Sequence, residues 1–539
     1  MKRIPNFSNH LILFVLILSL IVPIYFLLKG KTHSLKGFPL DDAWIHLVYG
    51  REISRGGYLA YNSGEPATGS TSPLWAYLLG IIHLLFEKIN NIVFAVKILG
   101  ILFHILIGYF AYKLLNIITK NIWVSVVGGV FLAISPIMVV SALSGMEISL
   151  SILLGLIALY CYINQKYIIT GVFLGLAFLA RPEFGTLGLI IIIEMLIGIR
   201  NKRIKPINLV YCLIPSVIIG SLYLGWNFFV DGRPFPATFY VKSIIGKGMP
   251  LFQRIIIGIG ILAKEAPLRS FILWIGLLGG LICDKEQKRY FLLFISIGIV
   301  YLLGNLILIP PWDPIAFYHI RYLIPAIPFI YLSLLIGNYN GLIYMAKKAR
   351  KERKRWILAI RGSYSIFLIF SLFFYSYLGI IHWQAKFYND CRNINELQVN
   401  IGKKINSVFS KDSKIGTIDA GAIRYFGNRY TIDLMGLNTN YKRFFKENNY
   451  LDALVLMPAW VILPKEHKFF VVYSCMTRNY QVTSNPNMGI QVVGVTIGDS
   501  EHNICKLPLL ILGKRIDINL KCFNKKKALN LAIDFRDAN

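Results

Sequence analysis

Residues 37–87 read GFPLDDAWIHLVYGREISRGGYLAYNSGEPATGSTSPLWAYLLGIIHLLFE, and the number of times this stretch crosses a membrane sets the side on which every later loop lies. Two adjacent carboxylates, Asp41 and Asp42, open it directly after an apolar run from His10 to about Leu28. A Gly/Ser/Thr-rich turn follows, and then the apolar run 73–86.

The surrounding chain sets the context. Of 539 residues 55% are hydrophobic and 16% charged, well below the ~25% charged fraction usual in soluble domains, and long apolar runs recur to residue 381. The pattern is that of a polytopic α-helical membrane protein with a distinct tail. The net charge of +30 reads as topology signals and contact with anionic lipid headgroups. No RNA-binding motif is present, so a nucleic-acid partner is excluded. The first run follows Lys2 and Arg3, is too long for a signal-peptide core and lacks a small-residue cleavage site; it reads as a retained signal-anchor. Cys161, Cys212 and Cys283 fall in apolar spans as small core residues. Cys391, Cys475, Cys505 and Cys522 fall in the tail, where disulfides are permitted and no zinc spacing occurs.

Further candidate spans lie at 92–116, 122–143, 148–163, 167–180, 184–199, 207–229, 269–283, 290–309, 321–337 and 357–381. Basic clusters orient them. Lys2/Arg3, Arg200 to Lys205, Lys285 to Arg289 and Lys347 to Arg355 all belong on the cytoplasmic side. If 73–86 crossed the membrane, the last three clusters would face outward. The run is also shorter than the ~20 residues a spanning helix needs. It is therefore expected to lie at the interface, with Trp75 and Tyr77 as headgroup anchors. The same parity puts 254–263 at the interface. The expected result is about eleven spans in the cytoplasmic membrane, with the N-terminus inside and the tail outside. Residues 1–381 then form the membrane domain, with a first outer loop at 30–91. Residues 382–539 form a soluble extracytoplasmic α/β domain, read from short apolar strands in KIGTIDAG, RYTIDLMGL, ALVLM and WVILP.

With that topology the polar clusters Asp41/Asp42, Ser144–Glu147, Arg181–Glu183, Asp231–Lys242 and Trp312–Arg321 fall on the outer face. At helical spacing Asp41 shares a side with Trp44, Ile45 and Val48, and Asp42 with His46 and Tyr49. One carboxylate facing an apolar cleft and the other a polar one is a way to hold neighbouring acids in different protonation states. Acids in a first helical turn also simply suit the helix dipole. Glu65, in a turn-rich loop, is either a surface residue or a ligand contact. Glu147, Arg181 and Glu183 sit at helix ends, where charges snorkel or serve a substrate. Lys242, with Tyr240 nearby, is an interfacial anchor or a phosphate contact, and Arg321, beside His319, has the fork geometry for a phosphate clamp. Asp419, Arg424 and Asp433 are strand-end residues that also suit an acceptor contact. No GxxxxGK[ST] loop, GxGxxG turn or HExxH helix occurs, so ATP-driven transport and metalloprotease chemistry lack support.

These residues resemble the GT-C membrane glycosyltransferases, which use polyprenyl-phosphate sugars at the outer face of a membrane. The resemblance is greatest to the bacterial branch containing the mycobacterial terminal arabinofuranosyltransferase. It is carried by Asp41-Asp42-Ala43 with Tyr49, Asn62 to Glu65, Gly69 to Trp75, Ser144 to Glu147, Gly175 to Glu183, Pro236 to Lys242, Arg321-Tyr322 with Pro325, and Ala420 to Leu437. It departs where the usual Asn of a Pro-Asn-Thr segment is Ala237, and where a Thr-Gly-Leu-Glu motif has Ser144 and Met146. The resemblance implies an aspartate general base in the first outer loop, assigned here to Asp41 with Asp42 beside it. It also implies an interfacial helix in that loop, a polyprenyl-phosphate sugar donor, and a glycan, lipid or protein acceptor. The donor phosphate is assigned to Lys242, Arg321, Arg181, Tyr240 and His319. Substrate contacts are assigned to His46, Tyr49, Glu65, Glu147, Glu183 and Asp433. No cofactor is demanded, though paired carboxylates are also able to hold a divalent metal. The rival class, a non-enzymatic transporter, flippase or scaffold for lipid-linked saccharides, would need a polar path across the bilayer, whereas the spans here are mostly apolar.

Overall fold

The computed structural model describes residues 5–240, 250–282, 284–308, 320–408, 411, 414–417, 420–433 and 436–438, and six short strands beyond residue 468. Lys242, Cys283, Trp312, His319, Asp419, the three cysteines after Cys391 and the expected strands at 453–457 and 460–464 lie outside the described residues.

The chain opens with α1 (Pro5–Lys29), α2 (Lys31–Lys36) and α3 (Asp41–Gly56). A two-stranded hairpin, β1 (Ala60–Asn62) with β2 (Glu65–Pro66), leads to α4 (Pro73–Leu85). Then come α5 (Ile89–Thr119), α6 (Ile122–Ala133), α7 (Pro136–Leu143), α8 (Ile148–Ile163), α9 (Tyr167–Ala180), α10 (Gly185–Arg200) and α11 (Pro206–Asp231). The helices α12 (Leu251–Leu262), α13 (Phe271–Trp274), α14 (Gly276–Leu281), α15 (Lys285–Leu308), α16 (Ala326–Glu352) and α17 (Arg355–Ile394) complete the apolar part.

Every span expected from the sequence has a helix or helix pair. Among the described residues seven helices are long and apolar enough to cross a membrane, and α6 with α7, bent by 53°, raises the number to eight as a broken span. The remaining expected spans, α8, α9 and the pair α13/α14, are shorter apolar helices. The chain is thus a multi-pass α-helical membrane protein. The helix α4 has 13 residues. At 1.5 Å per residue that is about 20 Å, short of a hydrocarbon core of ~30 Å. The 12-residue α12 falls short in the same way.

The chain divides into two compact units. The first comprises residues 1–30, 97–223 and 246–386, the membrane helices. Small residues let these helices approach closely: Gly276 abuts the backbone of Leu334, Gly279 that of Gly337, and Gly100 that of Ala142.

The second unit comprises residues 31–96, 224–245 and 387–539. It groups the loop after α1 with the tail, a division different from the expected boundary at 381/382. Here α3 starts with Asp41 and Asp42 in its first turn and ends at Gly57, whose φ of 76° lets its N–H reach the Ile53 carbonyl. Gly50 and Gly80 allow α3 and α4 to touch, because a Cβ on Gly50 would lie 2.7 Å from Leu79 Cβ. In the tail, α18 (Asn400–Val408), β3 (Lys414–Thr417), α19 (Ala422–Gly427) and β4 (Tyr430–Asp433) follow one another. The strands β5 (Phe469–Val472) and β6 (Gln491–Val492) complete a parallel sheet ordered β4-β3-β5-β6. The expected strands in KIGTIDAG and RYTIDLMGL correspond to β3 and β4.

Candidate functional site

The loop 30–91 and the tail residues described between 420 and 438 are built around each other. Asp41 is 3% exposed, and its two carboxylate oxygens accept the backbone N–H groups of Gly421 and Ala422, each at 2.8 Å. The carboxylate caps the start of α19, where unpaired helical N–H groups favour a negative charge. Gly421 has no room for a side chain, since a Cβ there would run into Asp41. Asp42, one residue on, is only partly buried.

Behind Asp41, Trp44 packs on Phe38 at 5.3 Å, Phe426 at 4.8 Å and Tyr425 at 5.4 Å between ring centroids. Arg51 donates to the Tyr425 carbonyl at 2.7 Å, and its guanidinium lies 4.7 Å from the Tyr425 ring centre. Glu52 receives Arg51, Arg55 and Arg424 at 3.3, 3.5 and 3.5 Å, and Ser63 Oγ at 2.7 Å. Burial and then the neighbouring Arg424 lower the Arg51 pKa to about 10. Burial pushes the Tyr425 hydroxyl up to about 12.

The other faces of the loop are tied in the same way. Tyr61 donates to the Ala420 carbonyl at 2.6 Å. Asn62 pairs with both backbone groups of Thr431, at 2.9 and 3.0 Å. Tyr430 donates to Glu65 at 2.9 Å, so the turn-loop glutamate is a fastening of the hairpin to β4. Asp433 accepts Asn438 N and Nδ2 at 2.9 and 2.7 Å. Tyr61 has its pKa raised by burial first and then by the Asp433 and Asp41 carboxylates, so this ring lies in the field of both acids. His46 and Tyr49 are buried in α3, with the Tyr49 ring 6.2 Å from that of Tyr61. Gly69 brings its loop against Tyr49 Oη and Asn438 Cα, 2.5 and 2.6 Å from where its Cβ would stand. Tyr240, partly buried, has the Arg233 guanidinium 5.0 Å over its ring.

His83 closes the cluster, its ring nitrogens 2.8 Å from the Leu79 carbonyl and 3.1 Å from Tyr425 Oη. Burial, reinforced by Arg51 and Arg55, lowers its pKa from 6.5 to about 4, although the Leu79 contact acts the other way. Between those values the unfolded chain carries a proton that the folded chain does not, so stability rises with pH through this window and is lost on acidification. Melting temperatures from pH 4.5 to 7 are expected to fall toward acid more steeply in the wild type than in His83→Gln.

Within the membrane helices a second group gathers. Arg181, 3% exposed, is bridged to Glu147 and Glu183, both at 3.2 Å, and lies 5.5 Å from the Tyr322 ring centre. Arg321, 5% exposed, donates to Tyr322 Oη at 2.9 Å and lies over the same ring at 4.9 Å. Two of the residues assigned to phosphate and two assigned to substrate thus meet in one cluster. The Arg181 charge is already answered by two carboxylates. Tyr301, its ring 5.3 Å from that of Phe184, adds a buried hydroxyl that the sequence reading missed. Also missed was Lys97, buried in α5 with Nζ 3.0 Å from the Leu143 carbonyl, just before the Ser144–Glu147 motif. The available signal was a single polar residue inside an apolar helix. Among the described residues no group of three or more His, Cys, Asp or Glu side chains gathers as a metal site would require.

A family model described as a domain of unknown function (DUF8728) matches residues 392–501, and no curated protein matches the chain. Similar solved structures include ArnT from Cupriavidus metallidurans bound to undecaprenyl phosphate, with a TM-score of 0.53 over 78% of this chain and 85% of that one at 12% identity. The apo state of ArnT gives 0.52 over 85% and 96% at 13% identity. The archaeal oligosaccharyltransferase AglB from Archaeoglobus fulgidus, in complex with an inhibitory peptide and a dolichol-phosphate, gives 0.47 over 79% and 64% at 12% identity. The ArnT likeness agrees with the fold class read from the sequence. The chain is a polytopic α-helical membrane protein whose fold resembles that of ArnT.

Proposed function

We propose that the protein is an inverting glycosyltransferase. It moves a sugar from a polyprenyl-phosphate donor to a hydroxyl of a cell-envelope glycan, lipid or protein. In orientation, the N-terminus lies in the cytoplasm and the loop 30–91 and the tail lie outside; in family, the chain stands nearest the branch containing the mycobacterial terminal arabinofuranosyltransferase. The observation that carries this reading is the acidic pair at the head of α3, in a chain of GT-C-like fold, with one carboxylate fixed by two backbone donors and its neighbour more open. The hydrogen bonds on Asp41 favour a positioning role for it, and the base assignment moves to Asp42. Asp42 takes the proton of the acceptor hydroxyl as that oxygen attacks the anomeric carbon. The bond from that carbon to the phosphate oxygen breaks on the opposite face, and the phosphate leaves with the electron pair, inverting the centre. Because a phosphate leaves readily at neutral pH, the remaining task is to hold its developing charge. Arg321, Lys242 and His319 are the groups we assign to it, from the sequence reading alone. Arg181, already paired twice, orients Glu147 and Glu183.

Incubating purified protein with a panel of polyprenyl-phosphate sugars and hydroxyl acceptors tests the reading. Release of free polyprenyl phosphate, dependent on acceptor, is the expected result. Transport or binding of the lipid-linked sugar with no such release would select the transporter or scaffold alternative.

A further inference from the structure

Among the neutral side-chain atoms of the loop unit that are buried without a hydrogen-bond partner are Thr68 Oγ1, Ser72 Oγ, Asn227 Oδ1 and Thr238 Oγ1. The residues are 1%, 0%, 0% and 6% exposed. They occupy segments stitched together by hydrogen bonds, since Ala237 N donates to the Thr68 carbonyl at 3.1 Å and Asn227 Nδ2 donates to the Pro234 carbonyl at 3.1 Å. Ser72 stands at the N-cap of α4 yet makes no capping bond with its side chain. A buried polar atom left unmatched costs about 1–3 kcal/mol, so several of them on segments joined in this way call for something that completes them.

We propose that these four residues form a subsite for the hydroxyls of a neutral sugar ring. Hydroxyls and an amide oxygen supply both donors and acceptors, as a ring bearing several O–H groups requires. None of the four is charged, so the group itself suits the hydroxyls of a sugar ring and not its phosphate. The adjoining Phe235 and Phe239, with ring centroids 4.8 Å apart, supply an apolar surface of the kind that flanks polar anchors in ligand sites. The assignment rests on the glycosyl-transfer reading above and adds to it the place where a sugar is recognised. The sugar belongs either to the lipid donor or to a glycan acceptor.

The test uses full-length protein and the double variant Thr68→Val/Thr238→Val. Affinities are measured for bare polyprenyl phosphate, for its mannose, glucose and arabinofuranose esters, and for free oligosaccharides of the same sugars. The wild type is expected to prefer at least one sugar-bearing lipid over the bare lipid if the subsite serves the donor, or to bind an oligosaccharide if it serves the acceptor. The double variant is expected to lose that preference about 10–100-fold, with bare-lipid affinity and melting temperature kept or raised. A preference retained in the variant overturns the proposal. So does a wild type with no sugar preference in either arm, or a ligand-free variant with a clearly lowered melting temperature, which would mean that water already satisfies the hydroxyls. Failure of the glycosyl-transfer reading is distinct: a sugar-dependent affinity that follows the proposal, without release of polyprenyl phosphate.

Discussion

Asp42→Asn is expected to lower turnover by about 10²–10⁴-fold while leaving the melting temperature and donor affinity close to wild type. The neighbouring Asp41→Asn is expected to show a different signature. An amide keeps one acceptor oxygen and turns an N–H₂ group toward a backbone N–H, so one of the two bonds to Gly421 and Ala422 becomes a clash of donors. The lost bond and the buried donor left unmatched cost about 1–3 kcal/mol, and the start of α19 loosens. Asp41→Asn should therefore melt several degrees lower and become more sensitive to proteolysis near residue 420. Its turnover falls because Asp42 is misplaced. Hydrogen exchange over residues 420–428 separates the two variants: faster in Asp41→Asn, unchanged in Asp42→Asn. Full activity in Asp42→Asn together with inactive but rigid Asp41→Asn would return the base to Asp41.

The second large effect belongs to the membrane helices. Glu147 and Arg181 form an ion pair whose side chains are 5% and 4% exposed. Removing one partner of such a pair costs about 3–5 kcal/mol, because the other charge stays buried. Glu147→Ala should therefore give poor yield and a much lower melting temperature, with Glu183 making up only part of the loss. Glu147→Ala combined with Arg181→Met removes both charges and should recover much of the stability. Monodispersity in detergent and thermal melting of the two variants give the comparison. If the single variant melts like the wild type, the pair contributes nothing to folding.

The membrane spans were legible because apolar runs and basic loop ends are local signals, and the run 73–86 forms a helix of only 13 residues. The acidic pair was legible for the same reason. Its hydrogen bonding was not. Gly421 and Ala422 lie 380 and 381 residues away and carry no side chain whose chemistry points to Asp41. The Arg424 contact to Glu52 has the same origin, so a loop that reads as a surface feature is in fact buried against the tail. Arg181 read as a helix-end charge that snorkels or serves a substrate, because nothing in its sequence neighbourhood reveals Glu147 as a partner in space. Tyr301 and Lys97 escaped notice for a simpler reason: one polar residue hardly alters the average of an apolar helix.

The Asp41 cap has a consequence for biosynthesis. Ribosomes deliver Asp41 early, yet its two donors emerge only after almost four-fifths of the chain has been made. Until then the two hydrogen bonds that hold the Asp41 carboxylate cannot form. The cap therefore closes only after the last of the long apolar helices, which ends at Ile394, has been made.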